Sequence, residues 1–280
     1  MLPLHGRLVS QHKSEYAGPC PFTGLGDDRF HWWAGSNNWW CRHDCPNCPG
    51  EICATGGRKG FFDDGETRSF RVLPPADLPT MTRVYEYQER LDGQVLSYLA
   101  NRGIRRETAS KFLVGKNCRR LTVPNVVRNG HLVCYGIKKR WVGKPPEDWI
   151  DKYTMEPGSR GKSIFNYNRL ASRRSWPYVA VVEGILDCML LDQLGVPAIA
   201  PFGGGGVWDT RWAKALDRAR EVVFVADDDP DGQGFLYAQK KQQMLGRGQV
   251  VFPPGGCKDI GEAYKAGEKL PAWFTQIAGG

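Results

Sequence analysis

The sequence predicts an α/β chain, α+β overall, in which a small cysteine-rich β-module precedes a basic α+β segment and a parallel α/β sheet. Three observations carry this. From residue 178 the chain alternates YVAVV, ILDCMLLDQLG, PAIAPF, TRWAKALDRARE, VVFVAD, GFLYAQKKQQMLG, QVVF and IGEAYKAG. Short Val- and Ala-rich runs separated by helix-compatible stretches read as buried parallel strands with crossover helices. Four of the nine cysteines, Cys20, Cys41, Cys45 and Cys48, crowd the first fifty residues. Residues 81 to 176 hold 20 Lys plus Arg against 8 Asp plus Glu, a balance of +12 in a chain whose net charge is +8.

The elements follow in order. Residues 1–53 form the first module: RFHWW and NNWWC read as two short strands joined by AGS, with the cysteines around them. A domain this small does not hold together on burial alone. Residues 54–80 carry Gly56-Gly57, Gly60, Asp63-Asp64-Gly65 and Pro74-Pro75 and read as a linker. In the basic segment 81–176, residues 92 to 114 suggest two short helices interrupted at Arg102-Gly103, and Asn129-Gly130 marks a hairpin in RLTVPNVVRNGHLVCYGIKKRW. The parallel sheet occupies 177–265, where Gly195 and Gly246 fall at the expected helix ends. LPAWFTQIAGG, within 266–280, reads as a tail that adds little.

No apolar run approaches the ~20 residues that span a bilayer, and MLPLHGRLVSQHK lacks a signal-peptide core, so a cytoplasmic location is expected. In that compartment clustered cysteines favour metal ligation over disulfides. Cys118, Cys134 and Cys188 read as small buried hydrophobes. The proposed zinc site is Cys20 with Cys41-x-x-x-Cys45-x-x-Cys48, four thiolates for a tetrahedral structural ion. Its first half offers one cysteine, with Thr23 where a second ligand is expected, and His31, His43 and Cys53 stand as substitutes. Aromatic residues between the cysteines supply a mini-core, and any left exposed could stack on unpaired bases.

VAVVEGILD at 179–187 and VVFVADDDPDG at 222–232 are the main candidates for chemistry. Each is an apolar strand ending in acid, and open α/β sheets place their sites at such ends. Glu183, Asp227 and Asp229 are expected to converge there, strand alternation aiming Asp227 and Asp229 alike and Asp228 elsewhere. Hard oxygen donors in this number suit Mg²⁺ or Mn²⁺. The plain alternative is a solvated turn, since Asp, Pro and Gly all favour turns. Asp187 lies one turn after Glu183. Asp259, after QVVF, is an outer member of the acidic set or a helix N-cap. Gly161-Lys162-Ser163 is not the end of a phosphate-binding P-loop, because Glu156 stands where the first glycine belongs and no strand leads into it. Gly203 to Gly206 allow close backbone approach or plain turn duty.

EGxxD at 183–187, DxDxxG from Asp227 to Gly232 and KD at 258–259 resemble the three acidic motifs of the TOPRIM fold. More narrowly, the chain resembles DnaG-type bacterial and phage primases. LSYLANRGIRRETASKFLVG, GIKKR, DKYTMEPG and CPFTGLGDDRF with WWCR are similar to that family's strings, in family order over residues 18 to 265. Thr23 and Tyr167 depart from the pattern. The resemblance implies a zinc ribbon, a primase core with a TOPRIM subdomain, and synthesis of short RNA primers from ribonucleoside triphosphates on single-stranded DNA. It implies catalytic roles for Glu183, Asp187, Asp227 and Asp229, with Mg²⁺ or Mn²⁺ held by Glu183, Asp227, Asp229 and Asp259. By the same resemblance Arg102, Arg140 and Lys152 bind the triphosphate or template, and Lys138, Lys139, Arg119 and Arg120 follow less directly. A separate replicative helicase is an implied partner, and the source is bacterial, phage or plasmid. Two other classes stay open: a TOPRIM nuclease, and a non-catalytic recombination mediator that pairs zinc with TOPRIM. Neither requires the basic segment.

Overall fold

The structure is a computed structural model that describes residues 4–10, 12–22, 29–42, 49, 51–52, 57–62, 70–72, 77–129, 131–145, 151–171 and 175–279. The chain divides into two compact units, residues 1–77 with 145–157, and residues 78–144 with 158–280. The +12 segment is therefore shared between them.

The first unit is a β-sheet. Its strands are β1 (Leu4–Ser10), β2 (Glu15–Gly18), β3 (Phe30–Trp33), β4 (Asn38–Cys41), β5 (Glu51–Ile52), β6 (Arg58–Phe61) and β7 (Phe70–Val72), in the order β5-β6-β4-β3-β2-β1-β7. The predicted RFHWW and NNWWC strands are β3 and β4, paired antiparallel with Phe30 opposite Cys41. Leu4, Cys20, Phe30, Trp39, Cys41 and Phe62 form the core, the Phe30 and Trp39 rings stacked at 5.3 Å. Residues 58–61 and 70–72 are strands rather than plain linker. Gly60, which reads as a breaker, sits on the Trp39 ring, where a Cβ would fall 2.3 Å from the indole. It is needed for close approach, not for a turn.

The second unit begins with α1 (Met81–Glu89), α2 (Gly93–Ala100) and α3 (Arg106–Lys111). Thr80 Oγ1 accepts from the Arg83 N–H and Asp92 Oδ1 from the Val95 N–H, so two of the three helices start on side-chain caps. β8 (Gly115–Asn117), β9 (Arg120–Asn129) and β10 (His131–Trp141) pair antiparallel in sequence order, with Asn129 opposite His131 at the predicted hairpin. Cys118 is exposed in the β8–β9 turn at φ 52°, unlike the buried Cys134 and Cys188, so its reading as a core residue is corrected. β11 (Tyr153–Met155) counts with the first unit.

β12 (Ile164–Phe165), β13 (Trp176–Val181), β14 (Ala198–Pro201), β15 (Ala219–Val225) and β16 (Gln249–Val251) form the predicted sheet in the order β12-β14-β13-β15-β16. The last four are parallel, and β12 adds an antiparallel edge. Intervening helices are α4 (Tyr167–Leu170), α5 (Ile185–Gln193), α6 (Ala213–Leu216), α7 (Gln233–Leu245), α8 (Ile260–Lys265) and α9 (Leu270–Gly279). Gly195 and Gly246 adopt φ 86° and 76° just past α5 and α7, as expected of helix stops. TRWAKALDRARE is not one helix: a 3-10 turn and the single-turn α6 give way to β15 at Ala219. The final segment is not an idle tail either. In α9, Leu270 and Phe274 are fully buried, and the Phe274 ring stacks on Tyr178 of β13 at 5.8 Å. Among the described residues no helix is long and apolar enough to cross a membrane.

Candidate active site

The parallel register brings the acids together. Val181 of β13 lies opposite Phe224 of β15, so Glu183 and Asp227 leave neighbouring strands at nearly one level. The Val182 N–H donates to the Ile199 carbonyl and the Ala226 N–H to the Val251 carbonyl, which anchors each strand one residue before its acid. Beyond β15 the chain leaves the ladder, yet Asp227 and Asp229 stay half-buried on either side of Asp228, in the alternation expected of the strand. The Asp228 N–H is held by the Lys258 carbonyl at 2.8 Å, and Lys258 Nζ pairs with Asp229 Oδ1 at 2.6 Å. Asp228 is exposed, as expected.

Asp227 is the electrostatic centre. Burial, and then the charges of Asp187, Glu183, Asp259 and Asp229, push its carboxyl up to about 8. On one side stand Glu183, Asp229 and Lys241. Burial raises the Glu183 carboxyl, partly offset by Lys241. On the other side stand Asp187 and Asp259. Burial, then Asp259, raises Asp187 to about 7 against the opposing pull of Arg102, while Asp187 accepts from the Gly261 N–H. Asp259 also caps α8, its Oδ1 accepting from the Glu262 N–H at 2.7 Å, so both readings of this residue hold.

Two glycines cradle Glu183. A Cβ on Gly205, in the loop after β14, would fall 2.1 Å from Glu183 Oε2. One on Gly234, in the first turn of α7, would fall 2.9 Å from Oε1 and 2.2 Å from the Asp227 carbonyl. Glu183 Oε1 is buried with no hydrogen-bond partner among the described residues. An unpaired buried carboxylate oxygen is costly unless a cation takes it. The donor set therefore fits a hard divalent ion. It is not a closed cage: among the described residues no three His, Cys, Asp or Glu side chains are drawn together as a metal cluster. Lys258, the Glu262 N–H and the Gly261 N–H each hold one acid back.

Lys241 escaped the sequence reading. It is 3% exposed, and burial lowers its ammonium to about 8 while Glu183 and Asp227 pull the other way. Gly234, Ala238 and Lys241 are the buried stripe of α7 at helical spacing, so the one signal is a lysine in phase with them, readable only once the helix phase is known.

The expected cations divide. Arg102 and Arg140 flank one ring, at 5.3 and 4.9 Å from the Tyr98 centroid. Arg102 is aimed by its neighbour: Gly103, at φ 77°, lies so close to Tyr264 of α8 that a Cβ would sit 2.3 Å from that ring. Lys138 donates to the Phe202 carbonyl at 3.1 Å, at the foot of the Gly203–Gly206 loop, and burial lowers it to about 8. Lys139, next on β10, points to the opposite face. Arg120 lies over Trp141 at 5.0 Å. Lys152 belongs to the first unit, its Nζ 5.9 Å from the Tyr153 centroid. Cys20 and Cys41 are both buried in the first unit's core. Cys45, Cys48, His43 and Cys53 lie outside the described residues. His31 is occupied, its Nδ1 2.9 Å from Glu15 Oε1.

No protein-family model matches the sequence, and no curated protein does. Solved structures do. The structure of the DnaG catalytic core superposes with a TM-score of 0.55 at 18% identity, over 71% of this chain and 79% of that one. The fold is that of the DnaG primase core. Two structures of this type span most of the chain. The primase fragment of the bacteriophage T7 primase-helicase protein covers 92% of this chain and 97% of its own, at 14% identity and TM-score 0.53. The Aquifex aeolicus primase, with its zinc-binding and RNA polymerase domains, covers 95% of this chain and 79% of its own, at 18% and 0.51.

Proposed function

We propose that this protein is a DNA primase, a DNA-directed RNA polymerase that makes short RNA primers de novo on single-stranded DNA for replication. The observation that carries the proposal is the acidic edge at the ends of β13 and β15, centred on Asp227, within a primase-core fold. Glu183, Asp227 and Asp229 hold Mg²⁺ or Mn²⁺, with Asp259 outside them and Asp187 in support. Such ions neutralise charge at the attacked phosphate and the leaving pyrophosphate. The chain's own residues do the rest. Gly205 and Gly234 fix the Glu183 carboxylate, and Lys241 offsets the charge of Glu183 and Asp227. Arg102 and Arg140, set on Tyr98, receive phosphate oxygens of the nucleotide or template, where guanidinium forks are effective. Lys138 holds the loop beside Glu183, while Lys139 and Lys152 add cationic surface for the template.

In the reaction the 3′-hydroxyl oxygen of one ribonucleotide forms a bond to the α-phosphorus of another. The α–β phosphoanhydride bond breaks, pyrophosphate leaves, and the hydroxyl proton passes to solvent or a carboxylate. Cys20 and Cys41, both buried, would hold a structural Zn²⁺ together with the sequence-assigned Cys45 and Cys48, in a module that selects the start site on the template. The setting is the bacterial cytoplasm, in a cell, phage or plasmid system, with a replicative helicase as a partner. The test supplies ribonucleotides, single-stranded DNA and Mg²⁺ or Mn²⁺. Short RNA made without a primer is expected, and Glu183→Gln is expected to lose it. No product across varied templates, or full activity in the variant, refutes the proposal.

A further inference from the structure

Away from the acidic edge, the second unit contains a cleft of about 890 Å³ between β9, β10, the 160–164 segment, α4 and the 3-10 turn before α6. Among its lining residues are Arg128, Arg160, Lys162 and Arg211, and no Asp or Glu. Arg211 is already engaged, its Nε 2.9 and 3.1 Å from the two Asp209 oxygens. Arg128, Arg160 and Lys162 are exposed and form no close salt bridge among the described residues, although the Asp209 carboxylate held by Arg211 also feels the Lys162 charge. Three like charges around one concavity raise its potential, and a polyanion relieves it.

The wall is built in advance. Buried Asn125 donates to Ser163 Oγ at 3.0 Å and to the Ile164 carbonyl at 2.9 Å, Ser163 Oγ donates to the Arg160 carbonyl at 2.7 Å, and the Arg160 N–H to the Tyr135 carbonyl at 2.7 Å. The Gly161-Lys162-Ser163 string, rejected as a P-loop, is thus a fixed segment that presents Lys162 to the cleft. Flat surfaces accompany the charge: Arg160 lies 5.7 Å from the Tyr135 centroid, and Tyr167 and the largely buried Trp212 also line the cleft. A volume near 900 Å³ suits one nucleotide-sized ligand.

We propose that this cleft is a metal-independent site for a nucleoside 5′-polyphosphate, either free or at the 5′ end of a short RNA, distinct from the Glu183–Asp227 edge. Arg128, Arg160 and Lys162 take the phosphates, and Tyr167 and Trp212 face the base. Gly203, whose Cβ position would lie 2.9 Å from the Gly161 carbonyl, joins this wall to the loop that abuts Glu183. The reading stands apart from the primase proposal, because EDTA silences the acidic edge and the variant below changes Arg160 and Lys162 while leaving Arg102 and Arg140 intact.

The experiment is equilibrium dialysis of the full chain with radiolabelled ATP in excess EDTA, with competitors. One ATP per chain is expected, displaced weakly by inorganic tripolyphosphate and poorly by a 5′-hydroxyl oligodeoxynucleotide. A 5′-triphosphorylated dinucleotide that displaces ATP more tightly than ATP itself identifies the RNA end as the source; the reverse identifies free nucleotide. Arg160→Ala with Lys162→Ala, both exposed and outside the core, is expected to weaken ATP at least roughly tenfold with an unchanged melting temperature. Three results overturn the proposal: no ATP bound in EDTA, an unaltered double variant, or an oligodeoxynucleotide without triphosphate competing as well as ATP.

Discussion

Replacing Asp227 by asparagine should make the metal-free protein more stable while abolishing its response to Mg²⁺. The Asp227 carboxyl is raised from about 3.8 to about 8 by burial and four neighbouring acids. A raised acid contributes its full stability below the unfolded value and loses it as pH rises through the folded value. The penalty therefore grows between pH 4 and pH 8. Taken at face value the shift amounts to about 6 kcal/mol, but Asp227 is only partly buried and its neighbours relax when it is neutralised. About 2–3 kcal/mol is the expected gain for Asp227→Asn at pH 8. For a unit of this size that is roughly 5–10 °C. Differential scanning calorimetry in EDTA at pH 8 and pH 5 measures it, with the gain shrinking at the lower pH. Mg²⁺ should then raise the melting temperature of the parent and leave the variant nearly unmoved. A variant less stable than the parent at pH 8 in EDTA, or one that Mg²⁺ stabilises equally, refutes the reasoning.

Gly205→Ala places a methyl against Glu183 Oε2, so primer synthesis and Mg²⁺ stabilisation should both fall at least roughly tenfold while circular dichroism stays unchanged. A fully active Gly205→Ala protein would show that Glu183 is not fixed by this contact. Phe274→Ala removes a fully buried ring from α9 and should cost about 3–5 kcal/mol in urea unfolding; a loss under 1 kcal/mol would mean α9 is dispensable. Cys41→Ser should release one zinc per chain by native mass spectrometry, with loss of the first unit's cooperative melting; full zinc retention would remove Cys41 from the ligand set.

The parallel sheet was legible because apolar runs, glycine stops and terminal acids all obey short-range rules. Glu183 and Asp227 could be placed at one edge from the strand pattern alone. Lys241 could not, since a lysine within QKKQQ reads as solvated until the helix phase is fixed by Gly234 and Ala238. Gly60 misled for a related reason: a glycine required by a distant partner looks the same in sequence as one required by a turn. Residues 270–279 were underestimated because Phe274 finds its partner, Tyr178, almost a hundred positions earlier. The Lys138 contact with the Phe202 carbonyl, at the foot of the glycine loop, is likewise invisible to local patterns.

The shared Tyr98 ring has a consequence for recognition. Arg102 and Arg140 come from α2's C-terminal end and from β10, yet both guanidiniums rest against one aromatic plane. Neither can be re-aimed without disturbing the other's seat. The span between two positive charges is thus a rigid property of the folded core, set before any anion arrives, and side-chain freedom is surrendered during folding rather than at binding. Under the proposed function, an anion whose phosphates match that span would meet two cations already placed, and the pair would discriminate by phosphate spacing.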